Sequence, residues 1–284
     1  MLSPVAVIQF AMERVVHFAL GEVAEWGAPA GSEAIHPRGH AHNDEMQAHP
    51  LVDALQAGMG SIEADVHLID GDLLVGHDGA WARSHRLRLE DSYIAPLVAR
   101  VQRYGGVYRR GVPTVLLLDF KDDPTAIYAV LVPLLEKYRS ALSSYQDGKK
   151  TQRPIDVVIT GAKPAHVVDL PGLRRVAFDG SVAELLRDPS AVSPERTPML
   201  NGWFKAYFKW TGTGPMAESE DRTLRHMVDL AHQRHVRLRL WDAPDNPAAW
   251  SLLETVGVDY VNTDHLQDFA QWQDRFGHVE LPTP

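Results

Sequence analysis

Two carboxylates stand two residues apart in Ser61-Ile62-Glu63-Ala64-Asp65-Val66-His67-Leu68, and His77-Asp78 follows after one short turn. Side chains alternate faces along a strand, so Glu63 and Asp65 point the same way. Crowded carboxylates repel one another unless a cation sits between them, and a hard divalent ion is the simplest partner. Asp119, in Leu116-Leu117-Leu118-Asp119-Phe120-Lys121, brings a third carboxylate, and the side-chain oxygen of Asn43 a neutral donor. The expected metal ligands are therefore Glu63, Asp65, Asp119 and Asn43. Such an oxygen-rich set suits Mg2+ first and Ca2+ second, and disfavours zinc because carboxylates outnumber imidazoles.

A hard cation beside histidines suits phosphodiester cleavage. That reaction needs charge stabilisation at the non-bridging oxygens, a base for the attacking oxygen and an acid for the leaving oxygen. Imidazole titrates near neutrality, so His42 and His77 are expected to share the acid and base roles. His40 competes for the first role or touches substrate, with a purely structural role as the alternative. Lys121 shares the face of Asp119 and could hold a phosphate oxygen. Asp44 and Asp78 could orient His42 and His77 or serve as turn and capping residues. His67 shares parity with Glu63 and Asp65, but reads as a hydrogen-bonded core or loop histidine. Trp203, Phe204, Lys205, Tyr207, Phe208, Lys209 and Trp210 form an aromatic and basic cluster for a substrate entrance or a lipid headgroup, with Lys205 and Trp241 as expected substrate contacts.

The elements that must position these groups follow a βα rhythm. Strands are expected near Ala34-His40, Ser61-Val66, Thr114-Asp119, Ile155-Thr160, Arg174-Phe178, Pro198-Asn201, Val236-Trp241 and Asp259-Asn262. Helix-like stretches lie between most of them, the longest spanning Pro124-Ser143 and Glu218-Arg234. This predicts an α/β chain with a TIM (β/α)8-type barrel, whose strand ends bring polar residues to one face. Tyr145 to Arg153 reads as a solvated loop and Arg83 to Arg88 as surface. The 284 residues divide into an N-terminal amphipathic helical segment, 1–30, and a single barrel domain, 31–284.

Composition excludes several alternatives. A net charge of −9 argues against broad nucleic-acid binding, and the absence of cysteine excludes thiol chemistry and thiolate metal sites. No stretch approaches the roughly twenty apolar residues of a membrane span, although peripheral membrane contact through an amphipathic face stays open. Met1 to Ala30 lacks a basic region before its apolar run, so no export signal is read there, which favours a cytoplasmic setting over an exported mature form.

These motifs resemble the superfamily of glycerophosphodiester phosphodiesterases, phosphatidylinositol-specific phospholipases C and spider-type sphingomyelinases D. The resemblance rests on Ser-Ile-Glu63-Ala-Asp65-Val with His77-Asp78, on Asp119-Phe-Lys121, on Arg239-Leu-Trp241 and on Gly257 to Asp264, and spans roughly residues 34 to 275. His40-Ala-His42-Asn43-Asp44 is similar to the start of the set related to altered inheritance of mitochondria protein 6, and replaces the His-Arg-Gly of the glycerophosphodiesterases. The resemblance implies a TIM-type barrel, a divalent ion on Glu63, Asp65 and Asp119, a metal-binding Asn43, and His42 with His77 as the acid/base pair. The expected activity is metal-dependent cleavage of a glycerophospho- or phospholipid-type diester, by hydrolysis or by transfer to a cyclic phosphate. The alternative is a barrel that binds a phosphorylated ligand or headgroup without turning it over.

Overall fold

The computed structural model describes residues 35–109, 111–164 and 172–276, so the amphipathic segment expected at 1–30 lies outside the described residues. The chain runs through β1 (His36–Ala41), α1 (Val52–Gln56), β2 (Met59–Ile69), β3 (Asp72–Val75), α2 (Gly79–His85), β4 (Leu87–Arg88), α3 (Ala95–Tyr104), β5 (Thr114–Phe120) and α4 (Pro124–Lys137). It continues through β6 (Ser144–Gln146), β7 (Lys149–Thr151), β8 (Ile155–Gly161), β9 (Ala177–Phe178), β10 (Gly180–Ser181), α5 (Val182–Arg187), β11 (Met199–Trp203) and α6 (Phe204–Tyr207). The last elements are α7 (Glu218–Gln233), β12 (Arg237–Trp241), α8 (Pro247–Val256), β13 (Val261–Thr263) and α9 (Leu266–Phe276).

One parallel ladder runs β13-β1-β2-β5-β8-β9 and a second runs β10-β11-β12. They meet at Asp179, the residue between β9 and β10. On the other side they are joined by a parallel bridge between Arg239 and Tyr260, where the amides of Asp259 and Tyr260 donate to the Leu238 carbonyl.

The apolar runs of β5 and β8 are buried on both faces, as parallel strands covered by helices must be. Leu116, Leu118, Val157 and Ile159 join the large core that includes helix residues such as Ile127 and Leu131. Burying each such side chain contributes about 1.5–3 kcal/mol. Their neighbours of opposite parity, Val115, Leu117, Val158, Ala177 and Met199, form a separate inner cluster with Tyr145 and Tyr260. Toward the C-terminal strand ends the same inward rows turn polar: Leu117 is followed by Asp119, Val158 by Thr160, Ala177 by Asp179 and Met199 by Asn201. The apolar start of each row anchors the strand, and its polar end delivers the chemistry.

Three expectations are corrected. The stretch Tyr145 to Arg153 contains the β6–β7 hairpin, turned by Asp147-Gly148 with φ of 50° and 72°, the primed-turn geometry that Asp-Gly favours. Tyr145 is buried, which a solvated loop does not provide. β2 runs past Val66 to Ile69 because β3 pairs back on it, and the helix begun at Pro124 stops at Lys137 rather than Ser143. Arg83, Arg86 and Arg88 do lie at the surface, paired with Asp70 and Asp72.

Candidate active site

A cleft of about 620 Å³ at the C-terminal strand ends is lined by His42, Asn43, Glu63, His77, Asp119, Lys121 and Trp241. Register explains much of this convergence. Asp65 stands beside Asp119 across β2 and β5, and Asp119 beside Thr160 across β5 and β8. Glu63, Asp65 and Asp119 each offer a carboxylate oxygen within 4.8 Å of the others. Asp65 is fully buried and its Oδ1 makes no hydrogen bond. Lys121 Nζ lies 3.0 Å from Asp65 Oδ2 and 2.6 Å from Asp119 Oδ2, spanning the two charges. Burial pushes the Asp65 carboxyl up to about 6; Lys121 opposes this shift, while Asp119 and Glu63 add to it. Burial raises Asp119 as well, and Lys121 is raised because Asp119 and Asp65 outweigh its own burial. Three carboxylates this close, with the buried Asp65 among them, suit a hard cation.

The histidines have separate carboxylate partners. His42 Nδ1 lies 2.8 Å from Asp264 Oδ1, which leaves Nε2 for proton exchange. His77, with a half-exposed side chain, has Nδ1 3.4 Å from Asp65 Oδ2. The structure therefore moves the orienting roles considered for Asp44 and Asp78. Asp44 is buried and accepts from Tyr93 Oη at 2.8 Å and from the Leu51 amide, with burial pushing its carboxyl up to about 7. Asp78 caps α2, accepting from the amides of Ala80 and Trp81. Asn43 adopts φ 44°, ψ 49° directly after β1, a left-handed conformation that asparagine tolerates better than most residues.

His40 does not reach the cleft, which corrects the expectation that it touches substrate. Its buried ring has Nδ1 2.8 Å from Ser61 Oγ and Nε2 3.1 Å from Glu63 Oε2. Burial, followed by the Arg239 charge, lowers it to about 3, so it is neutral at ordinary pH. His67, buried on β2, pairs with Asp122 at 3.2 Å. Lys205 is not in the cleft wall but donates to Asp242, which is, at 2.6 Å. The other Asp242 oxygen accepts from Trp203, whose ring stacks on that of Trp241 with centroids 5.8 Å apart.

Four partners carry no role in the sequence reading. Arg239, buried on β12, donates to Glu63 Oε2 at 2.6 Å and to Asn262 Oδ1. Arg239 and His40 hold the Glu63 carboxyl well below the usual range, although burial alone works the other way. Asn201 donates to Asp179, continuing this polar layer. Asp264 and Glu45 complete the omissions. The signal for Arg239 is its place in Arg237-Leu-Arg239-Leu-Trp241, where the leucines join the outer core and the alternate residues share the other face.

Chemically, the cleft combines a lysine between two carboxylates, histidines with separate carboxylate partners and a carboxylate set able to hold a cation. A model for the AIM6-like phosphodiesterase domain matches residues 32–179, and one for the glycerophosphoryl diester phosphodiesterase family matches residues 237–267. Altered inheritance of mitochondria protein 6 of Eremothecium gossypii is 31% identical over 287 residues, covering 83% of this chain and 69% of that protein. Its namesake in Saccharomyces cerevisiae is 30% identical over 270 residues, covering 80% and 68%. A solved glycerophosphodiester phosphodiesterase from Parabacteroides distasonis superposes with a TM-score of 0.48 at 16% identity, over 85% of this chain and 96% of that one. With half its length matched by one domain model, and with relatives of 30–31% identity covered over more than two thirds of their length, the chain belongs to the AIM6-like phosphodiesterase domain family.

Proposed function

We propose that this chain is a metal-dependent phosphodiesterase acting on a small or lipid-derived phosphodiester, with its two parallel ladders closed into one TIM-type barrel. The observation that carries the reading is the meeting, at one cleft, of His42, His77 and Lys121 with three carboxylates that lie within 4.8 Å of one another. Glu63, Asp65 and Asp119, with Asn43 beside them, would hold the ion. A bound Mg2+ or Ca2+ supplies charge stabilisation at the phosphate.

The chain's own groups then divide the work. Asp264 fixes the tautomer of His42, so that its Nε2 can take or return a proton. His77, on the far side of Asp65, handles the other proton. One histidine deprotonates water or a substrate hydroxyl, and the other protonates the departing alkoxide. Water as nucleophile gives a monoester and an alcohol; a neighbouring substrate hydroxyl gives a cyclic phosphate. Lys121 pairs with a phosphate oxygen, and Trp241 packs against the alcohol. The Trp203–Trp241 pair and Lys205 form the rim that would meet a headgroup or membrane surface. His42→Ala and His77→Ala are each expected to lower metal-dependent turnover of glycerophosphodiesters by 10²-fold or more. Unchanged turnover in both variants refutes the assignment.

One observation favours a second reading, a binding protein without turnover: Glu63 is already saturated by Arg239 and His40. Retained affinity for phosphodiesters without product formation, metal present, would select it.

A further inference from the structure

One member of the carboxylate set just described, Asp65, also meets two groups outside it, Glu45 and His77. Glu45, in the turn after β1, is 1% exposed; its Oε1 has no hydrogen-bond partner and its Oε2 receives the Asp65 amide, at 3.3 Å. Asp65 Oδ1 has no hydrogen-bond partner, while its Oδ2 faces the Lys121 ammonium at 3.0 Å. His77 Nδ1 stands 3.4 Å from Asp65 Oδ2, beyond the 2.7–3.2 Å or so of an ordinary N–H···O bond. One ligand atom from each of Glu45, Asp65 and His77 lies within 4.8 Å of the other two. Ligands about 2.0–2.1 Å from a tetrahedral ion are themselves roughly 3.3–3.4 Å apart, the separation seen between His77 and Asp65.

We propose that Glu45, Asp65 and His77 form a second divalent-cation site, sharing Asp65 with the first, that takes a zinc-type ion and withdraws His77 from proton transfer when filled. Only the withdrawal rests on the function proposed above; the site itself does not. The donor sets separate the two ions. Glu63, Asp65 and Asp119 offer oxygen alone and suit Mg2+ or Ca2+, whereas an imidazole with two carboxylates favours Zn2+ or Co2+. The buried, unpartnered Oε1 of Glu45 points to a ligand because an orphaned buried oxygen is otherwise costly. Lys121 Nζ lies 2.6 Å from Asp119 as well as 3.0 Å from Asp65, so it does not depend on Asp65 alone for a partner.

The test is Zn2+ equilibrium dialysis and Co2+ visible absorption on the full chain under saturating Mg2+. Wild-type protein is expected to bind one more Zn2+ than Glu45→Gln or His77→Ala, and both variants lose the Co2+ band. His77 is a half-exposed side chain, so its variant keeps the test sound if Glu45→Gln fails to fold. Unchanged zinc stoichiometry and Co2+ spectrum in the folded variants overturn the site. Zinc should also suppress Mg2+-supported turnover with the midpoint of its binding; zinc bound without inhibition overturns the withdrawal of His77. Asp119→Asn separates the two proposals, since it removes the first ion and leaves zinc binding in place.

Discussion

Asp264 gives His42 its direction, and it does so from the opposite end of the chain. The 2.8 Å contact to Nδ1 fixes which nitrogen is left for the reaction. Asp264→Asn is expected to lower kcat on the order of 10²-fold or more while changing KM little, measured by steady-state kinetics with saturating Mg2+. Arg239 supports the site differently, by neutralising a buried charge. Arg239→Met leaves Glu63 ionised in the interior and should cost about 3–5 kcal/mol, read as a lowered urea midpoint at pH 7. Glu63's depressed carboxyl adds stability that is whole above its unfolded pKa near 4.3 and is lost as pH falls toward the folded value. That acid-side loss should shrink in the variant. At this scale the sequence showed the residues whose company was local: Glu63 with Asp65, His42 with Asn43, Asp119 with Lys121. Asp264 and Arg239 act across 222 and 176 residues of chain, and no spacing rule reaches that far.

Elements set the distances among these residues. β8 ends at Gly161 with φ 71°, and a Cβ there would collide with Asp119 Oδ1. Gly161→Ala should therefore destabilise the fold by about 1–3 kcal/mol and weaken Mg2+ binding, measured by thermal denaturation and isothermal titration. Normal Mg2+ affinity in a folded Gly161→Ala protein would detach Asp119 from the cation site. The parallel strands were legible because β5 and β8 are nearly continuous apolar runs with a polar end. The β6–β7 hairpin was missed although Asp147-Gly148 signalled it, because Lys149 and Lys150 masked the strand pattern. Among the described residues, the β9–β10 strand is the least regular, broken at Asp179 where the two ladders meet.

At the scale of the molecule, several buried carboxyls have been raised by burial: Asp44 and Glu254 to about 7, Glu45 to about 8. Such groups bind protons more tightly folded than unfolded, so ionising them opposes folding. Metal-free protein should therefore lose thermal stability as pH rises from about 6.5 to 8, above the unfolded pKa of histidine, where the lowered His40 no longer contributes. A divalent ion that engages Glu45 should remove its share of that decline. A metal-free melting curve independent of pH over this range would argue that these carboxyls are not desolvated. Phosphorus NMR tests the central claim most directly, using EDTA-stripped protein with glycerophosphodiesters, lysophosphatidylcholine and phosphatidylinositol, before and after Mg2+ or Ca2+. The account predicts new metal-dependent monoester or cyclic phosphate resonances from wild-type protein and none from His42→Ala or Asp65→Asn. An unchanged wild-type spectrum with every substrate and both ions, or equal product from both variants, would contradict it.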